Sequence, residues 1–262
     1  MGMFTLCKGP TMPHRDTPPQ AVPSPDRPVG SGLPQPFFLP RGVAPPDRAA
    51  LPLSGLTFLL VEDSRFASDA MRMMCQRSGA RLRRAETMEQ ARAHLKTYRP
   101  DVAIVDLGLP DGRGDRLIRE LSLARQGTVV LGMSGDPDGR RAALASGALG
   151  FLEKPLPGLA AFQRAVLRHL PGRCMIVAEG EEDQIEADPL ALQDDLARAA
   201  DLMANEPDAG QRRYLASFLG GLARVAGDRA LADAAQDLAG GVEAMPMLRH
   251  MVKSRLSEGQ AF

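Results

Sequence analysis

The acidic pair Glu62-Asp63, the lone Asp106, the hydroxyl of Ser134 and the dipeptide Lys154-Pro155 occur in that order along the chain, each at or just beyond the end of a short apolar run. If those runs are neighbouring strands, three carboxylates, a hydroxyl and an ammonium meet at one edge. Packed carboxylates repel one another, and a hard divalent cation relieves the repulsion. Mg2+ takes oxygen ligands, keeps several waters, and binds through one or two carboxylates together with phosphate oxygens. A carboxylate held beside such a cation is a nucleophile towards phosphorus, and its product is an aspartyl phosphate. The ammonium would offset charge on the transferring oxygens, and the hydroxyl would find new acceptors there. Taken singly, an acidic pair at a strand end is an ordinary solvated feature and a Lys-Pro an ordinary loop. Their joint order carries the weight.

The elements that must position these residues are legible as alternating strands and helices. Leu56 to Val61 is a continuous apolar run, as in a strand covered on both faces. A helix over 65–78, a strand near 80–84 and a helix near 88–98 follow. Val102 to Val105 form a second buried run that ends at Asp106. A helix near 114–123 leads to the run Thr128 to Met133 and Ser134. A helix near 138–146, a strand near 149–153 and a helix near 158–170 complete the block. Five βα units predict an α/β fold, a doubly wound five-stranded parallel sheet with helices on both faces and right-handed crossovers. In such sheets ligands bind outside the carboxyl ends of the strands, where all five groups fall.

Residues 56–170 resemble the receiver domain of two-component response regulators, a flavodoxin-like fold. The resemblance rests on Glu62-Asp63, the loop Asp106-Leu107-Gly108-Leu109-Pro110, Ser134, and Phe151-Leu152-Glu153-Lys154-Pro155. The separations are 43 residues from Asp63 to Asp106, 28 more to Ser134 and 20 more to Lys154. The resemblance implies that Asp106 is the phosphoacceptor. It implies that Asp63, Asp106 and the backbone carbonyl of Gly108 ligate Mg2+, with Glu62 acting directly or through water. Ser134 and Lys154 would hold the phosphoryl group, and Phe151 stands where the family carries its switch aromatic. The Lys154-Pro155 bond is expected to be cis. Asp136, close behind Ser134, makes the mouth of the site partly acidic.

The remainder divides by composition. Residues 1–53 hold 13 of the 22 prolines and little hydrophobic periodicity, which predicts a disordered or polyproline-like tail. The receiver module is assigned to 54–172, an acidic linker to 173–188 and a helical bundle to 189–262. Apolar residues make up 44% of the chain, and no run approaches the length of a membrane span. With no long apolar leader at the N-terminus, the cytoplasm is the expected location. Cys7, Cys75 and Cys174 are isolated and form neither a disulfide framework nor a metal spacing. Net charge is zero but uneven: residues 1–172 carry 23 Lys/Arg and 16 Asp/Glu, residues 173–262 carry 9 and 16. An acidic C-terminal part is a poor match to DNA, whose affinity comes largely from phosphate contacts.

Four helices are predicted there, at about 190–204, 208–226, 229–240 and 245–256. Leu215, Phe218, Leu219 and Leu222, and again Leu231, Ala234, Ala235 and Leu238, follow the 3.6 period of a bundle. The segment from Ser217 to Leu231 resembles the core of histidine phosphotransfer domains, with Gly221, Gly227 and Leu231 at the family's offsets. Ser217 stands at the position of the phosphorylated histidine, and Gly220 at that of the usual lysine. The bundle would then be phosphotransfer-like without its chemistry. Arg213, Ser217, Gly220, Gly221 and Arg224 fall on the helix face opposite the apolar stripe. Two mid-helix glycines there are disfavoured by about 1 kcal/mol each relative to alanine. They predict a small, basic-edged docking face for a receiver, in cis or in trans. A plain solvated face is the competing view. His250-Met-Val-Lys253 echoes a His-x-x-Lys spacing, and a lone surface histidine explains it more simply.

The expected function is phosphorylation-controlled protein binding rather than a dedicated enzymatic activity. The expected donor is a histidine kinase or a histidine phosphotransfer protein, and the expected output a protein partner. The alternatives are a DNA-binding transcriptional regulator and a constitutive docking protein with a silent receiver. A haloacid-dehalogenase type phosphatase would need a DxD after its first strand, and Asp106-Leu107-Gly108 is not one.

Overall fold

Two runs of apolar residues, Thr57–Val61 (β1) and Val102–Asp106 (β3), form the centre of a parallel sheet. The computed structural model describes residues 51–124, 127–156, 158–170, 172, 188–240 and 244–259. The Pro-rich tail up to residue 50 and the linker at 173–187, with Cys7 and Cys174, lie outside the described residues. Arg81–Ala85 (β2) flanks β1, and Val129–Ser134 (β6) and Gly150–Glu153 (β7) extend the sheet beyond β3. The order is β2-β1-β3-β6-β7 and every pairing is parallel. The five-stranded, flavodoxin-like sheet expected from the sequence is therefore present. Two two-residue strands, Gly108–Leu109 (β4) and Gly112–Arg113 (β5), make a small antiparallel hairpin just after Asp106. That hairpin was not expected.

Helices cover both faces. Arg65–Arg77 (α1) and Leu159–Leu167 (α5) lie on one side, where Phe58, Leu60, Met71, Ile104, Leu131 and Phe162 form an apolar layer. Met88–Thr97 (α2), Asp115–Ala124 (α3) and Gly139–Ala145 (α4) cover the other, around Leu59, Val61, Val105, Leu117 and Ile118. Local chemistry sets the starts. Ser64 caps α1 by accepting from the Ala67 N–H at 3.0 Å, and Thr87 caps α2 through Gln90 at 3.1 Å. The folded chain starts earlier than the predicted boundary at 54. Leu53, assigned to the tail, is fully buried beside Met74 and Cys75, and its N–H bonds Ser78 O at 2.9 Å. Burying one leucine is worth about 2 kcal/mol, reason enough for the chain to turn into the core there.

The helices Pro189–Ala204 (α6), Ala209–Val225 (α7), Arg229–Gly240 (α8) and Met245–Gly259 (α9) follow. Their apolar residues form one cluster, from Leu196 and Met203 through Leu215, Leu219, Leu231 and Leu238 to Leu248 and Val252. Asp208 and Gln211 build a capping box at the start of α7. Phe66 of α1 belongs to this same cluster. The sheet domain thus lends an aromatic side chain to the helical core. No helix among the described residues is long and apolar enough to cross a membrane.

Candidate functional site

The parallel register brings Val61 opposite Val105 and Ala85, and Asp106 opposite Met133, so the strands end together. Glu62, Asp63 and Asp106 are all buried at that edge, with one carboxylate oxygen from each within 4.8 Å of the others. Lys154 places its ammonium 2.5 Å from Glu62 Oε2 and 3.2 Å from Asp106 Oδ1. The Lys154-Pro155 peptide after β7 is cis, as expected. Ser134 closes the edge at the end of β6, its Oγ accepting from the Asp136 N–H at 3.0 Å. All five groups singled out in the sequence therefore meet.

Burial decides their electrostatics. It pushes the Glu62 carboxyl up to about 8, against the pull of the Lys154 ammonium and with the push of Asp106. Asp63 is pushed up to about 6 by burial, and the Tyr214 hydroxyl and Arg198 work against that. Burial pulls Lys154 down, but Asp106 and Glu62 outweigh it and hold the group as an ammonium. The donor set suits a hard dication. Besides three carboxylates, Asp63 Oδ1 is a buried oxygen with no hydrogen-bond partner, which a Mg2+ ion would satisfy.

Phe151, on β7, packs between Gly132 and Gly139 and carries the Arg140 guanidinium 5.5 Å from its ring centre. It is half-buried, on the side of the sheet away from α1.

The helical region covers the mouth of the pocket. Tyr214 of α7 donates its hydroxyl to Asp63 Oδ2 in a short hydrogen bond. Arg198 of α6 sits 3.3 Å from the same oxygen and donates to Asp63 O at 3.1 Å. Burial raises the pKa of Tyr214, and the neighbouring Asp63 raises it further, so the phenol stays a donor. Asp195, also on α6 and almost fully buried, accepts from Ser64 Oγ at 2.8 Å, Arg65 N at 3.0 Å and Phe66 N at 3.1 Å. It acts as a second cap on α1, supplied from 130 residues away. Phe218 stacks on Tyr214 and receives the Arg198 guanidinium over its ring.

Of the five residues proposed as a docking face, the structure places three against the receiver. A Cβ on Gly108 would lie 2.5 Å from Ser217 Oγ, and one on Gly135 would lie 2.4 Å from the Arg224 guanidinium. Glycine at both positions is what lets α7 come this close. Gly221 lines the remaining space beside Asp63, Asp106 and Lys154. Arg213 is exposed near the start of the helix. Gly220 corrects the expectation. It is buried rather than exposed, and a Cβ there would meet the Arg224 guanidinium at 3.5 Å and Ala235 of α8 at 3.8 Å. Tyr214, Arg198 and Asp195 were missed. The tyrosine is one of only two in the chain, but nothing in its spacing marks it as a partner of Asp63.

Residues 58–165 match the family model described as response regulator receiver domain. The chain is 36% identical over 98 residues to the KDP operon transcriptional regulatory protein KdpE of Escherichia coli K12, covering 37% of this chain and 44% of that protein. It is 43% identical over 61 residues to the virulence transcriptional regulatory protein PhoP of Salmonella typhimurium, covering 23% of this chain and 27% of that one. The chain thus spans less than half the length of either relative. Among solved structures, the Vibrio cholerae chemotaxis protein CheY4 aligns with a TM-score of 0.41 at 24% identity, over 44% of this chain and 98% of that one. Residues 58–165 of this chain are a response regulator receiver domain.

Proposed function

We propose that the chain is a response regulator of a two-component phosphorelay in which Asp106 accepts a phosphoryl group from a histidine kinase or a histidine phosphotransfer protein. The observation that carries this is the placement of Asp106. It is buried at a strand end, 3.2 Å from the Lys154 ammonium and within reach of Glu62, Asp63 and Ser134. One Asp106 carboxylate oxygen attacks phosphorus, the P–N bond to the donor imidazole breaks, and its electron pair returns to the ring nitrogen. Glu62, Asp63, Asp106 and the Gly108 carbonyl would hold Mg2+, which when bound offsets the charge of the phosphoryl oxygens. Lys154 supplies a fixed positive charge to the same oxygens. Ser134 offers its hydroxyl to the new phosphate, with Phe151 adjusting beside it. The chain is not a dedicated enzyme in this reading, and it works in the cytoplasm.

The output is a change in protein contacts. The likeness of Ser217 to Leu231 to a phosphotransfer core supports it, because α7 lies over the receiver's pocket with Ser217, rather than a histidine, beside Gly108. The matched relatives are named as transcriptional regulators, so the charge argument against DNA is put to a direct test. Retention of DNA fragments in a mobility shift that weakens with salt would make DNA the output.

Incubation with acetyl phosphate and Mg2+, read by intact mass beside an Asp106→Ala control, tests the acceptor. One added phosphoryl group, absent from the control and from a metal-free sample, is the expected result. No gain in the folded protein would overturn the phosphoacceptor role and leave a constitutive docking protein.

A further inference from the structure

The cover over the pocket leaves little room. Between α7 and the acidic edge, the space bounded by Asp63, Asp106, Ser134, Lys154, Ser217, Phe218 and neighbouring residues is about 20 Å3. That volume holds about one water. A phosphoryl group together with a hydrated cation needs several times as much.

The charges are also already matched. Glu62 and Asp106 share Lys154, Asp63 holds Arg198, and Arg224 lies at Gly135, where Asp136 and Asp106 attract it. A dication entering this arrangement gains little from carboxylates that are already paired. It also meets the Arg198 guanidinium, which holds Oδ2 of the same Asp63 carboxylate whose Oδ1 it would take. Tyr214 and Arg198 draw the Asp63 charge towards Oδ2, so the free Oδ1 is a weaker ligand for a dication while they are in place.

We infer that the α6–α7 face is a built-in substitute for the metal, so that docking of the helical region and binding of a divalent cation compete for Asp63. Tyr214 and Arg198 occupy Oδ2 of the carboxylate and offset its charge, and Arg224 and Ser217 close the space in front of Asp106. Cation binding releases α7 and opens the pocket to a phosphodonor. By reciprocity, anything that holds α7 down weakens the cation's affinity by the same factor. The inference rests on Asp63 being part of the divalent site, as the proposed function has it. It adds that the site is assembled in two mutually exclusive ways.

Titration of the full chain with MgCl2 by calorimetry, wild type beside Tyr214→Phe/Arg198→Ala, measures the competition. One lost partner is a hydrogen bond to the carboxylate and the other an ion pair with it, so the double variant is expected to bind Mg2+ at least about tenfold more tightly. Hydrogen exchange on the wild type gives a second readout that needs no variant. Amides of α7 and the first turn of α1 are expected to exchange faster in Mg2+ than without it, while those of β1 and β3 do not. Equal Mg2+ affinity in the two proteins, or unchanged α7 exchange on saturation, would overturn the competition and leave the receiver site intact. Absence of Mg2+ binding in both proteins would overturn the competition and the divalent site together.

Discussion

The hydroxyl of Tyr214 and the carboxylate of Asp63, 151 residues apart in the chain, are joined by a short hydrogen bond. The bond ties the middle of α7 to the first acidic residue after β1, with Arg198 on the same oxygen. A helix of the C-terminal region thereby rests on the acidic edge of the receiver domain. Several of its consequences are measurable.

Replacing Tyr214 with phenylalanine keeps the ring stacked on Phe218 and removes only the donor. Asp63 Oδ2 then keeps Arg198 alone. Stability should fall by about 1.5 to 3 kcal/mol, the range for a hydrogen bond to a charged group. Urea unfolding of the full chain checks this, and an unchanged midpoint would mean that the bond contributes nothing net.

Asp195 caps α1 across the domain boundary. Asp195→Ala leaves the Arg65 and Phe66 N–H groups and the Ser64 hydroxyl without that acceptor, a loss of about 2 to 4 kcal/mol. The same substitution should speed exchange in the first turn of α1. Loss of stability with α1 exchange unaltered would place the effect within α6 instead.

Gly221 separates space from charge. A Cβ there meets nothing within 4 Å, so Gly221→Ala should stabilise α7 by up to about 1 kcal/mol through helix propensity. Gly221→Glu brings a carboxylate beside Asp63 and Asp106 and should lift α7 off the pocket. Faster exchange along α7 in the glutamate variant and slower exchange in the alanine variant are the paired expectations. Identical behaviour of the two would remove the docking argument.

Asp228 joins two helices. It accepts from Leu231 N at 3.0 Å at the start of α8, and it takes two donors from Arg255 of α9, one of them at 3.1 Å. The Arg255 hydrogen bonds hold its carboxyl below the usual range, helped by the Leu231 N–H. A lowered folded-state pKa adds stability above the unfolded value of about 3.9, and that stability is lost as pH falls through the folded value. Asp228→Asn keeps the cap and removes the charge, so it should be weaker by about 1 kcal/mol at pH 7. Urea unfolding should find the gap intact at pH 5 and closing below pH 4. A gap that widens on acidification would contradict the assignment.

Much of the receiver domain was legible because the relevant positions are local. A strand buried on both faces shows as an unbroken apolar run, and the residue after it is at the sheet edge wherever the sheet sits. Glu62, Asp63, Asp106, Ser134 and Lys154 were found that way, and the parallel order needed only the alternation of strands and helices. The β4–β5 hairpin was missed because two-residue strands leave no periodic trace. Leu53 was missed because a leucine just after a proline, at the end of a Pro-rich stretch, looks like tail until a core is there to receive it.

The cover over the site belongs to tertiary structure. Helical periodicity reports that a face is apolar, not which surface it meets, and α7 has contacts on two sides. One packs in the helical core; Gly220, buried against both Arg224 and Ala235, was read as exposed because a glycine has no polarity to betray its neighbour. The other lies against the receiver and is made of Tyr214, Ser217, Gly221 and Arg224, residues as polar as any solvated face. Tyr214, Arg198 and Asp195 gain their meaning only from partners more than 100 residues away. Such polar pairings follow from the docking geometry of two units. The sequence by itself determined the acidic edge and the sheet that builds it; the docking of α6 and α7 decided which side chains cover that edge.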